Sequence, residues 1–351
     1  MKKFKSQISD ASPERISSLS ESLSESFDTS LQEIHNINLK TRLLSFNAQI
    51  EAARAGEVGA CFSVVAAEMQ KLSSITEEVA KQLETEAETT VNELKEISQL
   101  MATNVRGTRL SDLALVNIDL IDRNLYERTC DVRWWATDSA VVSALAEDDI
   151  MAKEFACKRL GIILDAYTVY YDIVLCDKDG TVVANGKPNK YTSIGDNVSN
   201  TDWFSQVQNA SNGDEYGFQS VTKDSLVNGA LTLTYSCGVF DENGKNIGVL
   251  GVLFNWEALA QVIVKDTPVE STQKEKTRCC IVDVNCKVLA DSHDNVLSSI
   301  TDFGGLEKLM QEKKAFVRVK QGKRQFYIAH AAAPGYETYS TGWHSLLIQE
   351  Q

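Results

Sequence analysis

Two long runs of apolar residues at helical spacing, separated by one glycine-marked break, constrain this chain more than any other feature. Ile16, Leu19, Leu23, Phe27, Leu31 and Ile34 recur every third or fourth residue, and the stripe continues through Leu43, Leu44, Ala48 and Ala52 to Gly56. It resumes at Phe62 and runs through Val65, Met69, Leu72, Val79, Leu83, Val91, Leu94, Ile97 and Met101. Pro13 suits a helix N-terminus, and Gly56 and Gly59 mark the break. The pattern predicts two arms of roughly 45 residues forming an antiparallel coiled-coil hairpin about 65 Å long. Neither arm can bury its stripe alone, so two copies are expected to form a four-helix bundle.

The rest of the chain has a different texture. Arg106 and Gly107 mark a junction, after which Leu110, Leu113, Val116, Leu120, Leu125 and Trp134 predict a long connecting helix over 108–165. Adjacent Trp134 and Trp135 would point about 100° apart on it, so one packs inward. From Tyr171 the chain reads as strands. Residues 173–176 and 181–184 flank the turn Asp177-Lys178-Asp179-Gly180, residues 231–235 follow, and 239–240 and 247–254 flank Asp241 to Lys245. A fainter copy of strand, acidic turn and strand follows at 279–290. The fold class expected is α+β. A loose N-terminus (1–12) and the hairpin (13–106, tip near 47–60) precede an α/β region (107–351), whose lobes span 166–265 and 266–351, each with an antiparallel sheet.

The 351 residues include 43% hydrophobic ones, enough for a substantial core, and carry a formal charge of −14, which disfavours nucleic acid and bare anionic membrane as partners. Met1 to Lys5 are basic, but residues 6–25 are polar and serine-rich, unlike a secretory signal. No stretch approaches about 18 uninterrupted apolar residues, so a cytoplasmic protein without a membrane span is expected. The eight cysteines are scattered and read as reduced thiols; Cys279, Cys280 and Cys286 lack paired metal-ligand spacing, and no metal or cofactor is expected. No P-loop, dinucleotide fingerprint, HExxH or nucleophile elbow occurs, which argues against an enzyme.

Residues 43–57, LLSFNAQIEAARAGE, followed by VGACFSVVAAEMQKLS over 58–73, closely resemble the signalling tip of bacterial methyl-accepting chemotaxis receptors, a likeness covering roughly 31–83. The resemblance implies trimer-of-dimer contacts at Leu43, Phe46, Asn47, Glu51 and Arg54. It implies contacts with a chemotaxis histidine kinase and its coupling adaptor at Phe62, Val64 and Val65. Where the family usually has GRGF, this chain has Gly59-Ala60-Cys61-Phe62. Glu77 and Glu78 look like a methylation pair but lie only about 20 residues from the tip, and are read as a solvated helix face.

The C-terminal half resembles a double Cache sensor, in which a long helix precedes two PAS-like lobes. IVLCDKDGTVVANG (173–186), SIGDNVSNTDWF (193–204) and NIGVLGVLFNW (246–256) carry the likeness. It implies a ligand in the first lobe, stacked on Trp203 and Phe204, with Asp202, Tyr216, Tyr235 and Asp172 as further candidate contacts. Amino-acid-binding members place an arginine two residues before that tryptophan and an aspartate on the GVxGxD strand. Here those positions hold Thr201 and Leu253. Losing both anchors disfavours a zwitterion, whose charges would be buried without partners. The expected function is a cytoplasmic chemoreceptor that senses a small molecule and regulates the kinase through its hairpin tip; the alternative is a decoy or scaffold that binds kinase and adaptor without ligand-controlled output.

Overall fold

The computed structural model describes residues 13–147, 149–300, 303–337 and 339–351, so the expected loose N-terminus, 1–12, lies outside the described residues. The chain divides into two compact units, Met1–Arg106 and Gly107–Gln351. Among the described residues no helix is long and apolar enough to cross a membrane.

The first unit is a helical hairpin. Helix α1, Pro13–Arg54, is followed by a 3-10 turn, Gly56–Gly59, and by α2, Ala60–Trp135, whose residues up to Arg106 form the second arm. The arms meet through small side chains at seven-residue intervals. A Cβ on Gly59 would fall 2.2 Å from the Ala52 carbonyl oxygen, so only glycine allows that approach. One heptad away, the Ser45 hydroxyl donates to the Ala66 carbonyl at 2.8 Å, and one further the Ser73 hydroxyl donates to Asn38 Oδ1 at 2.5 Å. Ser20 and Val91 are buried too, eighteen residues beyond Asn38 and Ser73 and so outside the strict seven-residue step. A repeat of seven keeps one seam facing inward on both arms. Much of the remaining apolar stripe faces outward within the single chain, with Ile37 65% and Leu44 63% exposed.

The second unit begins with the last part of α2. The single long helix expected over 108–165 is instead three: α2 ends at Trp135, α3 spans Ser139–Ala146 and α4 spans Ile150–Ala166. Two aspartates explain the breaks. Asp138 accepts from the Ala140 N–H and Asp149 from the Ala152 N–H, each capping a new helix start. Of the two tryptophans, Trp135 packs edge-on against Tyr167 and Tyr170, whereas Trp134 is 70% exposed.

Two five-stranded antiparallel sheets follow, of the same topology. The first is β1 (Tyr170–Cys176), β2 (Val182–Asn185), β3 (Tyr216–Asp224), β4 (Ala230–Phe240) and β5 (Asn246–Asn255), in spatial order β2-β1-β5-β4-β3. The second is β6 (Thr277–Val282), β7 (Val288–Asp291), β8 (Lys314–Gln321), β9 (Arg324–Ala332) and β10 (His344–Glu350), in order β7-β6-β10-β9-β8. The acidic turns work alike: Asp177, Asp241 and Asp283 each accept two backbone N–H groups within their own turn. A shared core contains Ile118, Ile121 and Leu125 of α2, Leu160 of α4, and Ile173, Leu233, Phe254, Ile281 and Leu347 from the sheets. Each sheet carries a second core on its other face, with Trp203 and Phe204 in the first lobe and Leu306 and Leu309 in the second. All eight cysteines are free.

Candidate functional sites

At the hairpin tip, the helical repeat places Leu43, Phe46, Asn47, Glu51 and Arg54 within one sector of α1. All five are exposed, and Arg54 Nη1 is 2.9 Å from Glu51 Oε1. Phe62, Val64 and Val65 of α2 are exposed too, Phe62 by 70%. Contiguous exposed apolar and charged side chains at the turn are what a partner-binding surface requires. Cys61, at the position departing from the family pattern, is likewise exposed. Glu77 has partners that sequence reasoning did not find. Its two oxygens meet His35 Nδ1 at 3.1 Å and Asn38 Nδ2 at 2.5 Å from the other arm, while Glu78 stays exposed.

In the first lobe the six candidate residues separate. Trp203 and Phe204 lie on α5, Asp202–Ser205, fully buried in the core on the sheet face turned away from α2. Here that face is called the outer one. Their rings meet edge-on, with centroids 6.2 Å apart. A Cβ on Gly251 would come within 2.8 Å of the Trp203 ring, so the indole sits where β5 has no side chain. Asp202 is exposed at the start of α5. Tyr235 faces the other way, among the α2-side core, and its hydroxyl lies 2.6 Å from that of Tyr339. Tyr216 is nearby, its ring 6.3 Å from Tyr235 and 5.9 Å from the Arg133 guanidinium.

Asp172 is fully buried at a bulge of β1. Its Oδ1 accepts from the backbone N–H groups of Ile173, Gly186 and Lys187, and its Oδ2 from Asn185 Nδ2 at 3.0 Å. Asn185 Nδ2 also reaches the Tyr191 carbonyl and the Ser193 hydroxyl. Sequence reasoning missed Asn185, although the repeat contained the signal: VVAN over 182–185 corresponds to VLAD over 288–291. Burial pushes the Asp172 carboxyl from its ordinary 3.8 to about 6, against the pull of its backbone donors. The native state therefore holds this proton between about pH 4 and 6. Its contribution to stability falls as pH rises through that window, by about 2–3 kcal/mol in all. Burial acts oppositely on His330, lowered to about 4, which costs stability as pH falls below its unfolded pKa. Denaturant titrations of Asp172→Asn and wild type from pH 4 to 7 isolate the carboxyl: the difference in stability between the two should change through the window, and parallel profiles would contradict the assignment.

The loop between β9 and β10 gathers several buried polar contacts. Asp122 of α2, itself buried, accepts from the Gly335 N–H at 3.0 Å and the Thr341 hydroxyl at 2.9 Å. Trp343 meets Phe218 of β3 and Trp256, with centroids 6.1 and 5.5 Å apart. The second sheet, the first sheet and α2 thus share one set of neighbours.

Fold and sites together define a two-lobed α/β unit and a helical hairpin with an exposed tip. Residues 4–115 match the family described as the methyl-accepting chemotaxis protein (MCP) signalling domain. Protein PilJ of Pseudomonas aeruginosa is 35% identical over 127 residues, which are 35% of this chain and 18% of PilJ. The chemotaxis protein McpG of Pseudomonas putida is 51% identical over 55 residues, 16% of this chain and 9% of McpG. The chain thus spans less than a fifth of the length of these relatives. The sensory domain of the Campylobacter jejuni chemoreceptor Tlp3 superposes with a TM-score of 0.53 at 15% identity, covering 70% of this chain and 94% of that one. The Tlp3 ligand-binding domain in complex with L-valine gives 0.52 at 16%, covering 70% and 93%. Identity that low establishes the fold alone. The N-terminal part is thus similar to MCP signalling domains, and it is joined to a unit with the fold seen in chemoreceptor sensor domains.

Proposed function

We propose that this protein is a cytoplasmic chemoreceptor: its first lobe binds a small molecule, and its hairpin tip regulates a chemotaxis histidine kinase together with the coupling adaptor. It acts by signal transduction, without catalysis. The reading rests above all on the last part of α2, whose Leu110, Ile118, Ile121 and Leu125 are built into the second unit's core. Within the second unit that helix carries Asp122, whose buried carboxylate holds the β9–β10 loop, and the same loop reaches β4 through the hydroxyls of Tyr339 and Tyr235. A ligand that favours one packing of the first lobe would bias this set of contacts, and only through its differential affinity for the two packings. The exposed stripe of the hairpin supports a homodimer as the working form.

On this reading, Leu43, Phe46, Asn47, Glu51 and Arg54 hold dimers together in larger clusters, and Phe62, Val64 and Val65 engage kinase or adaptor. Trp203, Phe204, Asp172 and Asp202 belong to the ligand lobe, while Tyr216 and Tyr235 transmit its state. Co-sedimentation of the full chain with kinase and adaptor tests the tip. The complex should be lost on Phe62→Ala and Val64→Ala, which alter exposed residues and leave thermal stability within about 0.5 kcal/mol of wild type. Undiminished complex formation by both variants would contradict the assignment.

A further inference from the structure

The register of the first sheet places two rows of side chains on its outer face. One row runs Asn185, Val174, Gly251, Ser236 and Gly217 across β2, β1, β5, β4 and β3. The next runs Asp172, Leu253, Thr234 and Gln219. Three buried polar atoms associated with this face have no partner in the protein: Asn185 Oδ1, Thr234 Oγ1 and Trp203 Nε1. Buried polar atoms are nearly always satisfied, because leaving one bare costs its full desolvation. Three such atoms gather on the outer side of this one lobe.

The second lobe provides an internal comparison. The same pairing pattern puts Arg278 at the place of Asp172, Ile348 at that of Leu253, Ile328 at that of Thr234, Val317 at that of Gln219 and Asp291 at that of Asn185. There the row is apolar and ends in a closed ion pair, Arg278 Nη2 to Asp291 Oδ2 at 2.7 Å. That lobe's own unpartnered atoms lie outside this row: His330 Nδ1 in the row next to it, on a ring whose other nitrogen meets His344, and Ser345 Oγ on the opposite face, beside Ile281 and Ala331. The row that is sealed in the second lobe is polar and unfinished in the first.

We propose that the first lobe takes a small uncharged ligand bearing both a hydrogen-bond acceptor and an N–H or O–H donor, of the amide type, seated against Leu253 between Asn185 and Thr234. The proposal rests on the reading of this lobe as the sensor. The Trp203 indole is donor-only and calls for an acceptor; Asn185 Oδ1 is acceptor-only and calls for a donor; the Thr234 hydroxyl can serve either. Charge is disfavoured from both sides. The two rows contain no lysine or arginine, and the nearby Lys187 already acts on Asp172, so an anion would be buried beside a carboxyl with no cation of its own. The Asp172 oxygens already accept four hydrogen bonds, which leaves a cation poorly served. Leu253, Val174 and the Trp203 ring suit an apolar middle.

Thermal shift of the full chain with lactamide, lactate, alaninamide and alanine, four charge states of one skeleton, together with nicotinamide and nicotinate, reads this directly. A ligand that binds the native state raises the apparent melting temperature with dose. The neutral members should do so, and their charged counterparts should not. Greater stabilisation by a charged member would overturn the ligand class while leaving the sensor reading intact; no stabilisation by any neutral member would overturn the site. Thr234→Val supplies a second readout. Removing an unsatisfied buried hydroxyl should raise the melting temperature without ligand by roughly 2–4 °C, and should weaken the neutral probe at least tenfold. A lower melting temperature with unchanged probe affinity would mean the hydroxyl is satisfied, and would overturn the proposal. Complex formation with kinase and adaptor, read separately, reports on the tip and not on the ligand class.

Discussion

Asp291→Ala should destabilise the second unit by about 3–5 kcal/mol, enough to lower its melting temperature by roughly 10 °C. The carboxylate is fully buried on β7 and takes Arg278 in a bidentate grip, with Nε at 3.2 Å and Nη2 at 2.7 Å. It also accepts from the backbone N–H groups of His293 at 3.0 Å and Asn295 at 3.2 Å. Truncation removes the carboxylate that Arg278 grips and leaves the backbone N–H groups of His293 and Asn295 without this acceptor. The penalty is that of losing a buried acceptor serving several donors at once, which exceeds the net worth of any one of these bonds. Asp291→Asn keeps an acceptor oxygen and reproduces the residue type that the first lobe carries at Asn185. Its cost should be smaller, about 1–3 kcal/mol. Chemical denaturation measures both; an alanine variant within about 1 kcal/mol of wild type would contradict this account of the second lobe.

Trp256→Ala should cost a similar 3–5 kcal/mol, with a further consequence for how the lobes unfold. The ring follows β5 of the first lobe and is buried against Trp343, which precedes β10 of the second, with centroids 5.5 Å apart at 81°. Its Nε1 donates to the Leu289 carbonyl on β7 at 2.6 Å. One side chain thus supplies apolar area, an edge-on aromatic contact and the partner of a buried carbonyl between the lobes. Removing it leaves a cavity and an orphaned acceptor together. Calorimetry should then separate one unfolding transition into two, because cooperativity depends on the shared core. Trp256→Phe retains the ring but loses the donor, and should cost about 1–3 kcal/mol without splitting the transition. A single transition at the wild-type temperature for the alanine variant would show that the lobes are joined elsewhere.

Much of the architecture was legible because its causes are periodic. The spacing from Ile16 to Met101 specified two helical arms, and the small residues at seven-residue intervals, from Ala52 against Gly59 to Asn38 against Ser73, account for the close seam. The turns at Asp177, Asp241 and Asp283 were legible because an aspartate that binds its own backbone is a local event. The break near Trp135 was not, because apolar spacing continues across it and only the caps Asp138 and Asp149 mark new helix starts.

The sites were harder to read for a different reason. Both faces of the first sheet are buried, so hydrophobic alternation cannot tell which side a strand residue takes. Strand parity separates Thr234 and Ser236 from Tyr235, and it sends Tyr235 toward α2 and Tyr339 instead of toward Trp203. Asp172 and Asn185 became a pair only once β1 and β2 were in register. The Glu77 contacts with His35 and Asn38 likewise needed the alignment of the two arms.

The most direct test of the central claim is the phosphorylation rate of a reconstituted chemotaxis histidine kinase with its adaptor, measured with and without the full chain. The account predicts that the protein changes this rate and that Glu51→Ala and Arg54→Ala each abolish the change while remaining folded. A rate unaffected by the wild-type protein would contradict it, and would leave a hairpin joined to a unit with the fold seen in chemoreceptor sensor domains.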